Sequence, residues 1–86
     1  MQETRETRLK RLRMRSWHRG IKEMDLILGG YANDCLATMV SDELALYDAL
    51  LSENDQDLYQ WMSGRISPPP EHAEITDIIR SGLRGA

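Results

Sequence analysis

Ser41-Asp42-Glu43-Leu44-Ala45-Leu46-Tyr47-Asp48-Ala49-Leu50-Leu51-Ser52-Glu53-Asn54-Asp55-Gln56-Asp57-Leu58-Tyr59-Gln60-Trp61-Met62 reads as two helices joined by a short break. Leu44, Tyr47, Leu50 and Leu51 recur at the spacing that places side chains on one helical face. Ser41 is a candidate N-cap, and Asp42 and Glu43 suit the positive end of the helix dipole. Residues 52–54 interrupt the pattern. Asn54 or Asp55 then caps a second helix with Asp57 in its first turn, a stripe of Leu58, Trp61 and Met62, and a stop at Gly64. So short a connection makes the two helices antiparallel neighbours, the unit of a small bundle.

The flanking sequence keeps the same period. One Val and no Phe stand against eleven Leu and five Met, and no stretch alternates apolar and polar residues for long, so helix is expected throughout. Thr4 or Thr7 caps a first helix running to about Arg15, with Leu9, Leu12 and Ser16 on one side and Met14, Trp17 and Ile21 on another. A second helix runs from about Trp17 or His18 to Leu28 and is ended by Gly29-Gly30. Tyr31, Cys35, Leu36, Met39 and Val40 share the face of a third. Pro68-Pro69-Pro70 cannot continue a helix and reads as a stiff extended segment. Beyond it, Ile75, Ile78, Ile79 and Leu83 have helical spacing over about His72 to Ser81, in a helix that docks on the bundle or stays loose until a partner arrives. Residues 1 to about 5 are expected to fray, and Gly82 and Gly85 to leave the last residues mobile. The expected architecture is all-α: one domain over residues 1–86, a small bundle of about five short helices with a C-terminal helical tail. Its core spans about residues 8–66, its Pro-rich linker 67–70 and its tail helix about 72–81.

Eighty-six residues allow one small core. The single cysteine, Cys35, rules out an internal disulfide and fits a reducing compartment. No apolar run approaches the ~20 residues of a membrane-spanning helix. The N-terminus lacks the apolar centre of a secretory signal. Its Arg content resembles that of a mitochondrial transit peptide, but Glu3 and Glu6 argue against one. A bacterial cytoplasmic setting is therefore expected over a mitochondrial matrix. Charge is unevenly placed: residues 1–22 carry +6 and residues 23–86 carry −9. Such a basic leader either guides a partner electrostatically or lies against the chain's own acidic helices.

Enzymatic chemistry finds no support. His18, His72 and Cys35 lack the paired spacing of a metal site. Cys35, on an apolar face, reads as a small core residue. Capping accounts for Asp55 and Asp57, and Gly29-Gly30 lacks the spacing of a nucleotide-binding loop. The rival class is nucleic-acid binding through Arg5, Arg8, Lys10, Arg11, Arg13, Arg15 and Arg19 beside Trp17. An acidic chain whose aromatic residues do not interleave with the basic ones counts against it. An antitoxin-like regulator is a further alternative.

Arg19-Gly20-Ile21-Lys22-Glu23-Met24-Asp25 lies where the basic leader meets the acidic remainder. On a helix, Arg19, Gly20 and Glu23 share one face, flanked by Leu26 and Ile27, while Ile21, Met24 and Leu28 project to the other. Gly20 costs about 1 kcal/mol relative to Ala inside a helix. It marks a turn, or it permits close approach of another backbone or a ligand. Arg before Glu is also the weaker order for an i,i+4 pair, so helix support alone explains the two charges poorly.

Arg-Gly-x-x-Glu followed by Asp resembles the signature of the FAD assembly factor SdhE family. Arg11-Leu12-Arg13-Met14 resembles that family's basic lead-in, and Leu44 to Leu51 with Asp55-Gln56-Asp57-Leu58-Tyr59-Gln60-Trp61-Met62 resembles its downstream segment. The resemblance covers roughly residues 9–70. His18, Ile21-Lys22 and Met24 depart from the pattern, but Arg19, Gly20, Glu23 and Asp25 keep it. The resemblance implies a non-enzymatic assembly factor that binds the flavoprotein subunit of succinate dehydrogenase, and of fumarate reductase, and promotes covalent attachment of FAD. It implies Arg19, Gly20 and Glu23 as partner-binding residues, Arg15, Trp17 and His18 as their rim, and Asp25 as motif-supporting. It implies no metal, no nucleic acid and no tightly bound cofactor, with contact to the partner's FAD left open, and a monomer when free.

Overall fold

The computed structural model describes the backbone of residues 3–84 and the side chains of residues 3–82. Helix α1 (Arg5–Ser16) starts at Thr4, whose Oγ1 accepts a hydrogen bond from the Thr7 N–H at 3.1 Å. Fraying to residue 5 is not observed over residues 3–5: Glu3 pairs with Arg11, and Arg5 donates to the carbonyls of Ala37 and Met39. Met1 and Gln2 lie outside the described residues. Leu12 and Ser16 are fully buried, as their shared face requires.

The second helix does not begin at residue 17 or 18. Trp17 is extended and His18 sits in the left-handed region at φ 58°, which ends α1. A connector of residues 17–21 follows, and α2 (Lys22–Met24) starts after extended Ile21. Nor does Gly29-Gly30 end this helix. Both glycines are right-handed helical, and α2, a π-helical turn (Asp25–Gly29) and α3 (Gly30–Cys35) run on as one rod. The reason for glycine at position 29 is space. A Cβ there would lie 2.5 Å from carbons of the Trp17 indole. Gly29→Ala gains about 1 kcal/mol of helix propensity but overpacks the indole at a cost of about 1–3 kcal/mol. The expected net result is a lower melting temperature with red-shifted tryptophan emission.

The rod closes in a 3-10 turn (Leu36–Thr38) and extended Met39-Val40. In α4 (Ser41–Leu50) the N-cap position is held by Val40, not Ser41; the Val40 N–H donates to Glu43 Oε1 at 3.1 Å. Val40 is accordingly 61% exposed rather than on the buried face. Of the two candidate caps for α5 (Asp55–Met62), Asn54 is used: its Oδ1 accepts from the Asp57 N–H at 2.9 Å. Asp55 is thereby left free for another task. Gly64, at φ 82°, stops α5 in the left-handed conformation that glycine adopts without penalty.

Helix α6 (Pro70–Arg84) is longer than expected at both ends. Pro70 opens it, a position where a missing N–H costs nothing. Gly82 is a packing residue rather than a loosening one: a Cβ there would meet the Tyr31 ring at 2.9 Å. Gly85 and the Leu83 side chain lie outside the described residues. Ile75 and Ile79 are fully buried, so α6 is docked. It packs on α3, α4 and α5, while α1 packs on the rod and α2 on α5.

The described residues thus form an all-α bundle of five rods around one core. Met24, Leu28, Leu36, Leu44, Tyr47, Leu50 and Leu58 are fully buried at its centre. The Cα radius of gyration is 12.1 Å, against about 12 Å for a folded domain of this length. The Tyr47 hydroxyl lies 2.5 Å from Ser16 Oγ. Ser16 donates its proton to the Leu12 carbonyl at 2.8 Å, so Tyr47 donates to Ser16. Burial pushes the Tyr47 hydroxyl up to about 12, which keeps this donor protonated at neutral pH.

Candidate functional site

The connector is fastened by two carboxylates. Asp25, from the first residue of the π turn, accepts from the Arg19 N–H. Asp55, from the first residue of α5, accepts from the Gly20 N–H and, at 2.7 Å, from Arg19 Nε. Arg19 completes the fastening: its guanidinium donates to the carbonyls of Arg15 at 2.9 Å, Leu51 at 3.2 Å and Glu53 at 3.3 Å. The Arg19 and Asp55 side chains are only 11% and 16% exposed. Arg19 therefore ties α1, the α4–α5 turn and the connector together. Its donor set faces the chain's own interior, contrary to the partner-facing role expected of it.

The reason lies in the break at His18. An i,i+4 reading assumes unbroken helix. Here Arg19 and Gly20 precede α2, so they do not share a helical face with Glu23. Nor does Glu23 hold Arg19: it is exposed and makes no hydrogen bond or ion pair among the described residues. His18, Gly20 and Lys22 are exposed alongside it. Leu26, one turn further along, is 64% exposed. A shallow cleft of about 360 Å³ opens at Gly20, lined by Ile21, Asn54, Asp55 and Gln56. Glycine suits the chain itself there, because a Cβ would sit 2.7 Å from the Asp55 carboxylate oxygen and would push that carboxylate off the connector. The sequence reading gave Asp55 only a capping role. The signal available was two adjacent cap candidates, Asn54 and Asp55, of which a helix uses one.

Most of the basic leader is also turned inward. Arg11 bonds Glu3 and Asp48, Arg15 bonds Asp48 and Ser52, Arg8 bonds Ser41, and Arg5 bonds backbone carbonyls. Arg15, expected on the rim, is thus committed to α4. Arg11, Arg15 and Arg19 are neutralised by the chain's own carboxylates and Arg5 and Arg8 are held by uncharged groups, which breaks up the basic stripe that the nucleic-acid reading needs. The Arg11 hydrogen bond holds the Asp48 carboxyl below its ordinary range, and Arg11 does the same for Glu3. A depressed carboxylate contributes stability above its unfolded pKa and loses it as pH falls through the folded one. Asp48→Asn should therefore lower the melting temperature by a constant amount from pH 7 to about pH 4.5. The gap should close below about pH 4. Melting curves across this range check it.

His18 is exposed, while His72 is 5% exposed, hydrogen-bonded to Glu53 at 2.8 Å and tilted against Trp61. Cys35 is half-buried against the core. Among the described residues no three His, Cys, Asp or Glu side chains converge. No described helix is long and apolar enough to cross a membrane.

A family model described as "Flavinator of succinate dehydrogenase" matches residues 10–82, a span that holds the connector, both fastening carboxylates and the whole core. The chain belongs to this family. Among curated relatives is "Succinate dehydrogenase assembly factor 2, mitochondrial" of Candida glabrata, 43% identical over 72 residues, or 81% of this chain and 47% of the relative. The protein of the same name from Meyerozyma guilliermondii is 38% identical over 80 residues, 91% of this chain and 59% of the relative. That of Drosophila grimshawi is 34% identical over 80 residues, 90% of this chain and 54% of the relative. The chain spans about half the length of the curated relatives it matches. These flavinator-family names overturn the expected bacterial cytoplasmic setting, since the relatives are named mitochondrial and come from yeasts and flies. Glu3 and Glu6 were weak grounds for excluding that compartment, because both belong to the folded domain: Glu3 pairs with Arg11 and Glu6 lies in the first turn of α1.

Proposed function

We propose that this chain is an assembly factor that binds the flavoprotein subunit of succinate dehydrogenase and promotes covalent attachment of FAD. The observation that carries this reading is the connector. A loop fixed by Asp25, Asp55 and Arg19 presents exposed Gly20 and unpaired Glu23 to whatever docks there. A loop already ordered avoids the entropy of ordering on binding. Membership of the flavinator family supplies the partner class.

Glu23 accepts from donors of the flavoprotein. Gly20 offers bare backbone for close approach, and His18 and Trp17 form the rim. Arg19, Arg15 and Asp25 position this surface from behind. The bond made is between a histidine of the subunit and the flavin 8α-methyl carbon, so the chemistry belongs to the subunit and its flavin. The factor contributes orientation and is not itself an enzyme. It binds no cofactor of its own tightly, and it acts as a monomer. The flavoprotein subunit of fumarate reductase is a second client.

The test is to mix the purified chain with apo flavoprotein subunit and FAD, denature, and read covalent flavin fluorescence on the subunit. Fluorescence well above that of the subunit with FAD alone supports the proposal. Equal fluorescence with and without the chain refutes it.

A further inference from the structure

The outer face of α1 runs into the first residue of the connector and carries side chains that the fastening of that connector leaves out. Lys10, Arg13 and Met14 stand at i, i+3 and i+4 on one face of α1, and Trp17, the extended residue that follows the helix, closes the end of that face. They line an open groove of about 350 Å³ with a mainly apolar floor. Met14 is 75% exposed. The Trp17 ring is seated on Gly29, so it holds one wall in place. The charges also differ from the rest of the leader. Arg5, Arg8, Arg11, Arg15 and Arg19 bond to the chain's own groups, but Arg13 has no hydrogen-bonding partner among the described residues. Lys10 has only a 3.9 Å pair with Glu6, both largely solvent-exposed.

We infer that this groove is a second docking surface, for an acidic amphipathic segment of the flavoprotein partner. An apolar side chain of that segment lies between Met14 and Trp17, and its carboxylates meet Lys10 and Arg13. An amphipathic segment lays its apolar side into an apolar groove of this kind, with its charged side at the rim. Arg13, without a partner among the described residues, and Lys10, held only by a solvent-exposed pair, select negative charge on the partner. This inference rests on the flavoprotein reading and extends the docking surface from the connector onto α1, with Trp17 shared between the two. The groove gives the factor a second grip.

The test compares the full chain with the Arg13→Glu/Met14→Glu double variant, titrated against apo flavoprotein subunit at low and high salt. Both positions are partly or well exposed on α1, so circular dichroism and melting should match the parent. The dissociation constant should rise by about tenfold or more, and its salt dependence should flatten. Unchanged affinity and salt dependence overturn the inference. So does a parent chain that sediments as a dimer the variant abolishes, or one that binds cardiolipin vesicles the variant does not, with flavoprotein affinity intact in either case. Those results would assign the groove to a second copy or to a membrane surface. If the parent chain does not bind the flavoprotein at all, the functional reading fails together with this one. Loss of binding in the variant alone is the supporting outcome.

Discussion

Asp55→Ala should unfold at a temperature more than about 10 °C below the parent. Among the described residues the carboxylate is the only side chain that bonds both the Arg19 guanidinium and the Gly20 N–H. Removing it leaves Arg19, 11% exposed, with backbone carbonyls alone to balance its charge. Breaking a buried ion pair from one side costs about 3–5 kcal/mol. Both partners keep some solvent contact here, so the lower end applies, about 3 kcal/mol. For a domain of this size each kcal/mol shifts the midpoint by about 4–8 °C. Asp57→Ala, two residues further into α5, is the control. Asp57 bonds only the exposed Asn54 side-chain amide, and its loss should cost less than about 1 kcal/mol. Equal melting of the two variants would remove Asp55 from the fastening.

Glu23→Arg should behave in the opposite way. Its melting temperature should stay within a few degrees of the parent, because an exposed side chain without partners rarely contributes more than about 0.5 kcal/mol. Binding to the flavoprotein subunit should fall by about a hundredfold or more, and covalent flavin should fall with it. A desolvated interfacial charge that loses its partner costs about 2–5 kcal/mol, and reversal adds repulsion. Normal flavin attachment with this variant would take Glu23 out of the docking surface. The contrast between the two variants matters more than either alone. Asp55 holds the connector, whereas Glu23, in the helix that follows it, is exposed. Gly20→Arg would mix the two effects, since its Cβ strikes Asp55 while its side chain covers the exposed face.

The bundle was legible from periodicity. Leu44, Tyr47, Leu50 and Leu51, then Leu58, Trp61 and Met62, fall on the buried faces their spacing implied. So do Leu12 with Ser16, and Ile75 with Ile79. What periodicity could not show was the two places where a helix boundary depends on a distant side chain. Gly29-Gly30 carries a local signal for termination, but Trp17, twelve residues earlier in the chain, fills the space and keeps the helix running. The stretch from Trp17 to Ile21 carries a helical pattern. Its backbone N–H groups at Arg19 and Gly20 are instead taken by carboxylates six and thirty-five residues away. Once Arg19 leaves the helix, its charge is free to turn inward, and its expected pairing with a partner is lost. Glu23 and Gly20 are exposed among the described residues.

Whether the connector is set before any partner arrives can be read from amide hydrogen exchange of the free chain by NMR. The Arg19 and Gly20 amides, although close to an exposed loop, should exchange at least about tenfold more slowly than the exposed His18 amide. The Gly20 protection should vanish in Asp55→Ala. Exchange of both amides at the rate of an open chain in the parent protein would contradict a connector held in place by Asp25 and Asp55.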